Sequence, residues 1–372
     1  KTRNLNVKTH KPNVKTRNPN VKTHNLNVKT RNPQQKKSIF REGINKKSLQ
    51  KTSTTFPFYY RFSQNNMQLY YLQRHEIDDT QWNNCIARCA AGLPYPYTWY
   101  LDIVAQQQWA GIVADDYTAV FPLPYRRRAH LYYIYQPAWT QQLGIFAPQI
   151  LTLFTVDAFW AAIPKRFVWT DLYANEQQTP PTSIATLSHH SRSNYLLDLS
   201  PNYETLRKSY SKHHLRRLQK AQKHDLHIDT LPIDLLLQTV QPLLLQKNPR
   251  LQDVHFHQLR QLLHHAQQHQ IGKTLAVRDR QQQLHSVHFH WHTEQRLVSL
   301  VNLSTEIGRH SGATFGLIDY LVQQYSNTSR LLDFEGGNEA GMAQFFAGFG
   351  ATPVTYWHVI RNQLPFYLRW RK

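Results

Sequence analysis

The stretch LLDFEGGNEAGMAQFFAGFGATPVTYWHVIRNQLP, residues 331–365, decides the fold of this chain. An apolar strand runs into Asp333-Phe334-Glu335 and ends at the glycine pair Gly336-Gly337. A short helix is predicted next, and Gly348-Phe349-Gly350 ends it before an aromatic strand over 354–360. Two carboxylates at a strand end, beside a glycine turn and a helix N-terminus, are an arrangement that builds a site.

The same stretch resembles the closing strand-helix-strand of GNAT-type acyltransferase domains, especially those of the FemAB-like branch. In that branch a DFEG strand end and an FY..FGA helix end recur, and here they read DFEGG and FFAGFGA. The resemblance covers residues 67–372 and is strongest after Asn202. It implies an α/β (α+β) fold of two tandem GNAT-like domains, each a mixed, largely antiparallel sheet flanked by helices, with a groove between them.

The N-terminal segment is repetitive. Asn-Val-Lys-Thr recurs every seven residues from Asn6 to Asn27. A coiled coil is excluded, because Val and an occasional Leu are the only apolar positions and several repeats contain Pro. Such a composition cannot bury enough apolar surface to fold. We therefore interpret residues 1–37 as disordered basic heptapeptide repeats and residues 38–66 as a linker.

Most of the positive charge belongs to this tail. Residues 1–66 contain 16 Lys or Arg and one acid, Glu42, which leaves only +6 of the chain's +21 for residues 67–372. One interpretation is an electrostatic arm for nucleic acid or an acidic surface. We favour translated upstream sequence, with the native start at Met67, because the repeat is near-perfect, the chain opens on Lys1 and Met67 precedes the first strand-like segment.

The remaining chain is long enough for two domains, which we expect over 67–190 and 191–372. Strands and helices alternate twice in the same rhythm: helices, antiparallel strands, a helix and a strand. The first half looks like a more diverged copy of the second.

The sequence indicates a cytoplasmic protein. Its longest apolar run, residues 150–164, is too short to span a bilayer, and no signal peptide follows Met67. The only cysteines, Cys85 and Cys89, lie four apart on a predicted helix. This spacing favours one buried helix face over a disulfide or a metal pair.

The segment after the strand at 297–303 matches a phosphate-binding loop with one departure. GNAT domains bind the pyrophosphate of acyl-CoA at a strand-loop-helix junction, where free N–H groups face the anion. Arg309-x-x-Gly312-x-Thr314 fits the loop except at the last position, where Thr replaces a small residue, and Glu306 adds a negative charge. The resemblance implies acyl-CoA, with acetyl-CoA as its simplest form, as the donor, and these cofactor-binding residues: Gly308, Arg309, Gly312, Ala313 and Thr314. FemAB-like proteins take aminoacyl-tRNA instead and do not need this loop.

A basic stripe runs along the predicted helix at 211–223. Its cations, with Arg217 adjacent, stand at helical spacing: Lys212, Arg216, Lys220 and Lys223. One interpretation is a solvated face. The other, suggested by the similar S..R..L.KA helix of FemAB-like proteins, is phosphate contact through Arg216 and Lys220.

Asp333 and Glu335 are the candidate catalytic carboxylates. Side chains two apart on a strand share a face, so either could take a proton from an acceptor amine. Asn338 is a candidate for orienting the acceptor, and Tyr356 for protonating the leaving group. The alternatives are that a carboxylate caps the next helix or pairs with an Arg, and that Tyr356 is plain core.

Two further patterns allow substrate contacts. His290 stands between His288 and His292 on one strand face; His-x-His is a zinc spacing, but we favour a groove of neutral imidazoles and expect no metal. In the first half, Trp99, Asp102 and Gln141 are candidates for the wall of an acceptor groove, although aromatic residues at this density usually form core.

We expect an N-acyltransferase that moves an acyl group, from acyl-CoA in the favoured version, to a small-molecule or peptide amine. Two alternatives stay open. One is a FemAB-like transferase that uses aminoacyl-tRNA and acts on a cell-wall precursor or peptide. The other is a degenerate tandem that binds a ligand or partner without turnover.

Overall fold

Thirteen strands form one mixed sheet in the computed structural model, which describes residues 59–60 and 67–364. The strands are β1 (Tyr59–Tyr60), β2 (Leu69–Gln73), β3 (Trp109–Ala114), β4 (Ala119–Arg128), β5 (Leu131–Tyr135), β6 (Phe167–Ala174), β7 (Leu187–Asp198), β8 (His227–Thr230), β9 (Gly272–Arg278), β10 (Leu284–His292), β11 (Arg296–Ser304), β12 (Leu331–Asp333) and β13 (Thr352–Asn362). The predictions for 1–37 lie outside the described residues, as does most of the predicted linker, from which β1 is described.

Helices connect these strands in the predicted rhythm. They are α1 (Asp79–Ala87), α2 (Thr98–Val104), α3 (Leu153–Ala161), α4 (Tyr203–Lys208), α5 (Lys212–Lys223), α6 (Ile233–Lys247), α7 (Asp253–Gln268), α8 (Glu306–Ser311), α9 (Ala313–Tyr325) and α10 (Ala340–Ala347). Side-chain hydrogen bonds to backbone N–H groups fix where several of these helices begin. The Asp78 carboxylate accepts from the N–H groups of Thr80 and Gln81, and the Ser211 hydroxyl accepts from that of His214. No described helix combines the length and apolarity that a bilayer span requires.

The strand order is β1-β2-β3-β4-β5-β6-β13-β7-β12-β11-β10-β9-β8. Neighbours are antiparallel except β5 with β6 and β11 with β12, so each half contains one parallel pair. The mixed sheet flanked by helices confirms the predicted fold class.

The halves share strands at the centre of the sheet. The last strand, β13, pairs with β6 of the first half and with β7, whereas β7 also pairs with β12 of the second half. The predicted boundary between 190 and 191 falls inside β7, and the division into 67–190 and 191–372 stays a prediction.

Two apolar clusters fill the layers between the sheet and the helices. The larger one is rich in fully buried aromatic side chains such as Trp82, Trp109 and Trp160. The smaller one packs α9 and α10 against the second half through Leu317, Leu321 and Phe346, among others. Burial of these faces fixes the helices over the strand ends at which the candidate site lies.

Candidate functional site

A cleft opens where β11 and β12 separate. The two strands pair only through Arg296–Val298 and Leu331–Asp333. Beyond this point a cavity of about 620 Å³ lies between residues 299–304, the α8–α9 junction and α10. Residues 299–304 therefore have no strand on the β12 side, and their backbone groups there face the cavity. Most of its wall is apolar: Leu244, Leu300, Val301, Leu303, Phe315, Phe334, Met342, Phe345 and Phe346.

Cations line the same cleft. Arg217, Lys247 and Arg309 all contribute to its wall, and the Arg217 guanidinium donates to the carbonyl of Arg309. The predicted phosphate contacts Arg216 and Lys220 instead face solvent on α5 and do not line the cleft. The sequence signal for Arg217 was its position beside the basic stripe, but only the packing of α5 against α8 turns it toward the cavity.

The predicted phosphate loop is a junction of two helices. The Thr305 hydroxyl accepts from Gly308 N–H and caps α8, so a helix occupies much of the segment expected to be a loop. A Cβ on Gly308 would lie 1.7 Å from the carbonyl oxygen of His285, and Gly312 joins α8 to α9 at a φ of +83°. Glycine is therefore required at both positions.

The junction residues still reach the cleft. Gly308, Arg309, Gly312 and Thr314 line it, and no side chain caps the N-terminus of α9. Ala313 is fully buried and does not. Four of the five predicted donor-binding residues are thus brought together around one cavity.

Two polar side chains in the cleft lack partners. Ser299 Oγ and Asn302 Oδ1 are enclosed and make no hydrogen bond within the described chain. Near them β11 contains a β-bulge, because two residues, Ser299 and Leu300, stand between the pairs that Val298 and Val301 make with β10. Sequence reasoning missed these residues, since neither the bulge nor the cleft has a local motif.

Glu335 lines the cleft just beyond the end of β12. Its backbone has a φ of +55°, a left-handed conformation that costs a non-glycine residue about 1–2 kcal/mol. This turn removes Glu335 from the strand, so the prediction that Asp333 and Glu335 share a strand face was wrong.

Burial raises the pKa of Glu335 well above its ordinary value. A hydrogen bond from the Tyr95 hydroxyl to Glu335 Oε1 opposes this rise in the pKa, and the neighbouring Asp333 carboxylate adds to it. The result is a carboxyl group in an apolar cleft that takes up a proton more readily than an exposed one. This is the property required of a general base near neutral pH.

Asp333, in contrast, has all its partners inside the protein. Its fully buried carboxylate pairs with Arg296 at 2.8 Å and accepts from Asn194 Nδ2 and Glu335 N–H, both at 2.8 Å. Arg296 also pairs with Glu176 of the first half. Asp333 therefore positions the Glu335 turn, in line with the alternative that one carboxylate pairs with an Arg.

Asn338 and Tyr356 form a pair beside the cleft. Asn338 Nδ2 donates to the Tyr356 hydroxyl at 3.4 Å, and Asn338 Oδ1 accepts from Ser193 N–H at 3.0 Å. Burial raises the pKa of Tyr356, with the Asn338 hydrogen bond opposing. Neither residue lines the cavity, so the structure does not bring Tyr356 to the leaving group.

The three first-half candidates are separated by the fold. Trp99 stacks on His265 at 4.0 Å, Asp102 pairs with Arg74 at 2.6 Å, and neither lines the cleft. Gln141 is closer to the site, because its Nε2 donates to Asn194 Oδ1 at 3.4 Å.

The segment that begins at Gln141 lies between β4 and β6. Leu143 forms a parallel bridge with Ala174 at the end of β6, and Leu143, Ile145 and Phe146 are buried. This segment of the first half therefore occupies the space between β4 and β6 beyond the end of β5.

His290 lies in the interior rather than in a groove. It is fully buried, as is His288, and His290 Nε2 lies 3.4 Å from the Tyr325 hydroxyl. Burial lowers the pKa of His288 to about 3 and that of His290 well below its ordinary value, so both rings are neutral. Within residues 59–60 and 67–364, no group of three His, Cys, Asp or Glu side chains is arranged to hold a metal.

Comparison with known proteins rests on structure. No protein-family model and no curated protein matches the chain. FemX is similar to it at a TM-score of 0.57 and 9% identity, over 80% of this chain and 99% of FemX. A tandem GNAT protein from the clavulanic acid biosynthesis pathway is similar at a TM-score of 0.45 and 11% identity, over 81% of this chain and 99% of that protein's chain. L-PGS from Bacillus licheniformis is similar at a TM-score of 0.43 and 8% identity, over 71% of this chain and 88% of the L-PGS chain. The chain therefore has the fold of FemX, in agreement with the tandem GNAT-type, FemAB-like resemblance of its sequence.

Proposed function

We propose that the protein is an N-acyltransferase, with acyl-CoA as donor and a primary amine as acceptor. The observation that carries this proposal is the cleft between β11 and β12. It combines an apolar wall, three cations and a carboxyl group with a raised pKa, that of Glu335.

The cleft suits an acyl-CoA in size and chemistry. A cavity of about 620 Å³ lies in the range of small-molecule sites. Arg217, Lys247 and Arg309 offer charge to the phosphates. The unpartnered Ser299 Oγ and Asn302 Oδ1, with the free edge of residues 299–304, offer hydrogen bonds to the amides of a pantetheine arm.

The chemistry requires one base and one polarised carbonyl. Acyl-CoA supplies a thioester carbonyl to the cleft. As the amine nitrogen bonds to that carbon, the carbon–sulfur bond breaks and Glu335 takes the proton that the amine loses. Glu335 then returns this proton to the departing thiolate, which leaves as free thiol. Backbone N–H groups at the β11 bulge stabilise the negative charge that develops on the carbonyl oxygen. Asp333 and Arg296 hold Glu335 in place.

The test is transfer itself. The full chain is incubated with acetyl-CoA and a panel of primary amines, and thiol release is measured together with the mass of the acylated product. Amine-dependent thiol release in the wild type, with loss of it in Glu335→Gln, supports the proposal. Absence of product, or equal rates in the variant, contradicts it.

The second candidate keeps the fold and replaces the donor by aminoacyl-tRNA. The observation that favours it is the exposed stripe on α5, the helix that also supplies Arg217 to the cleft: Lys212, Arg216, Lys220 and Lys223. Contacts with several phosphates predict binding that falls steeply as salt rises. Tight, salt-sensitive tRNA binding without acetyl-CoA binding would favour this donor.

A further inference from the structure

Beside the cleft, the sheet has a face across β6, β13 and β7 whose side chains are partly exposed. Along β6, Thr170, Leu172 and Ala174 are buried, whereas the alternate residues Trp169 and Tyr173 are only partly buried. The strand register continues their face onto β13 and β7, since Tyr173 pairs with His358 and His358 with His190. We call these side chains, with Arg192, the open face: Trp169, Tyr173, His190, Arg192 and His358.

Flat rings dominate the centre of this open face. The rings of Tyr173 and His358 stack at 4.5 Å with an interplanar angle of 21°, and the Tyr356 ring follows at 6.0 Å from that of Tyr173. Asp171 Oδ1 lies 2.7 Å from His358 Nε2 and holds that ring in place. The Asp171 carboxylate on this face is thus occupied, and the face offers apolar rings to a ligand.

Arg192 is the free charge of the open face. It stands in register with Tyr356, and its side chain makes no ion pair or hydrogen bond with any described residue. Its Nε is enclosed without a partner. An enclosed guanidinium nitrogen that has lost water and gained no acceptor is unfavourable, so this position fits an anionic ligand.

Arg192 is connected to the proposed base through Asn194. Arg192 and Asn194 are two apart on one strand face, about 6.6 Å. The Asn194 amide oxygen accepts from Gly336 N–H at 3.0 Å, next to Glu335 in the chain. We take about two residues of extended peptide as the spacing between an amine at Glu335 and an anion at Arg192.

We propose that the open face binds the acceptor, and that the acceptor carries a carboxylate about one dipeptide length from its reactive amine. The inference rests on the proposed function and adds the chemistry of the acceptor. One planar guanidinium suits one planar carboxylate through two parallel hydrogen bonds. The stacked Tyr173 and His358 rings then lie where the body of the acceptor passes, which favours a flat or aromatic side chain.

The experiment compares two dipeptides that differ only in this anion. Alanyl-tyrosine and alanyl-tyrosinamide are titrated calorimetrically into the full chain, and the acid is expected to bind roughly tenfold or more tightly than the amide. Arg192→Gln should remove the preference, and Arg192→Lys should keep part of it. Arg250→Gln, the same change at an exposed turn, should leave it intact. Equal binding of acid and amide, absence of both, or a preference that survives Arg192→Gln would overturn the inference.

Acetyl-CoA is titrated into the same samples. If it binds while the dipeptides show no preference for the acid, this inference fails and the proposed donor site stands. If the acid binds with the expected preference while acetyl-CoA does not bind, the donor proposal fails instead. Far-ultraviolet circular dichroism verifies that each variant is folded, and Arg192→Lys preserves the test should the Gln variant unfold.

Discussion

The Tyr95 hydroxyl donates a hydrogen bond to Glu335 Oε1, joining residues 240 apart in the sequence. Tyr95 precedes α2 in the first half, and Glu335 lines the cleft of the second. The bond stabilises the charged carboxylate, whereas burial disfavours it. The protonation of the proposed base is thus set jointly by both halves.

Glu335→Gln should lower the transfer rate by about 10²–10⁴-fold, the usual contribution of a general base. Gln keeps the size of the side chain and cannot accept the proton. The rate is measured as amine-dependent thiol release, and acetyl-CoA affinity serves as the control because it should not change. A variant with wild-type turnover would remove Glu335 from the mechanism.

Glu335 should also make the fold less stable as pH rises. Because its folded pKa lies above the ordinary value of 4.5, the folded chain retains a proton that the unfolded chain releases between these two pKa values. The free energy of unfolding therefore falls as pH increases through this window. Urea unfolding across a pH series should show the fall in the wild type and a smaller one in Glu335→Gln. Identical pH dependence in both proteins would contradict the burial of this carboxyl.

Tyr95→Phe should shift the rising limb of the pH–rate profile to higher pH. The lost hydrogen bond stabilised the carboxylate, so its removal raises the pKa of Glu335 further. Tyr117→Phe, in the first half, is the comparison variant, since its hydroxyl bonds Asp78 N–H instead. An unshifted limb in Tyr95→Phe would show that the contact does not tune the base.

Arg296→Met should destabilise the protein by about 3–5 kcal/mol. The change leaves the buried Asp333 and the nearly buried Glu176 without their shared cation. Urea unfolding measures the loss, with exposed Arg250→Met as the matched variant. A loss below about 1 kcal/mol would mean that the buried carboxylates are neutralised in another way.

Gly312→Ala should weaken acetyl-CoA binding and destabilise the α8–α9 junction. Its φ of +83° disfavours a side chain, and the added Cβ would lie 2.8 Å from the Arg217 carbonyl oxygen. The conformational cost alone is about 1–2 kcal/mol. Gly316→Ala, inside α9 with its Cβ in ordinary contact, should be neutral or stabilising. Calorimetry measures acetyl-CoA binding and thermal unfolding measures stability in both variants. Losses in Gly312→Ala alone would show an effect specific to the α8–α9 junction, whereas losses in both would show a general effect of replacing glycine.

Periodicity predicted much of the fold. The helix predicted at 211–223 corresponds to α5, the strand predicted at 297–303 to β11, and the aromatic strand predicted over 354–360 to β13. These elements carry long apolar patterns that tertiary contacts reinforce. The position of β13 between β6 and β7 was not predictable, because strands so distant in sequence leave no local signal of their pairing.

The sequence predicted which residue types form the candidate site, but it did not predict which of these residues contact one another. Glycine and carboxylate spacing pointed to Glu335 and to the junction at Gly312. The division of roles between Asp333 and Glu335 depends on a left-handed turn and on Arg296, neither of which has a sequence signature. Trp99 and Asp102 do not line the cleft, because Trp99 stacks on His265 and Asp102 pairs with Arg74. Their role in a groove wall stays a prediction.

The most direct test of the account is calorimetric titration of acetyl-CoA and free CoA into the full chain and into Arg309→Gln and Arg217→Gln. Binding is expected near micromolar dissociation constants, about −8 kcal/mol, and should weaken in each variant. Arg250→Gln should leave it unchanged. No detectable binding, or binding indifferent to both cleft arginines, would contradict the assignment of the cleft between β11 and β12 as the donor site.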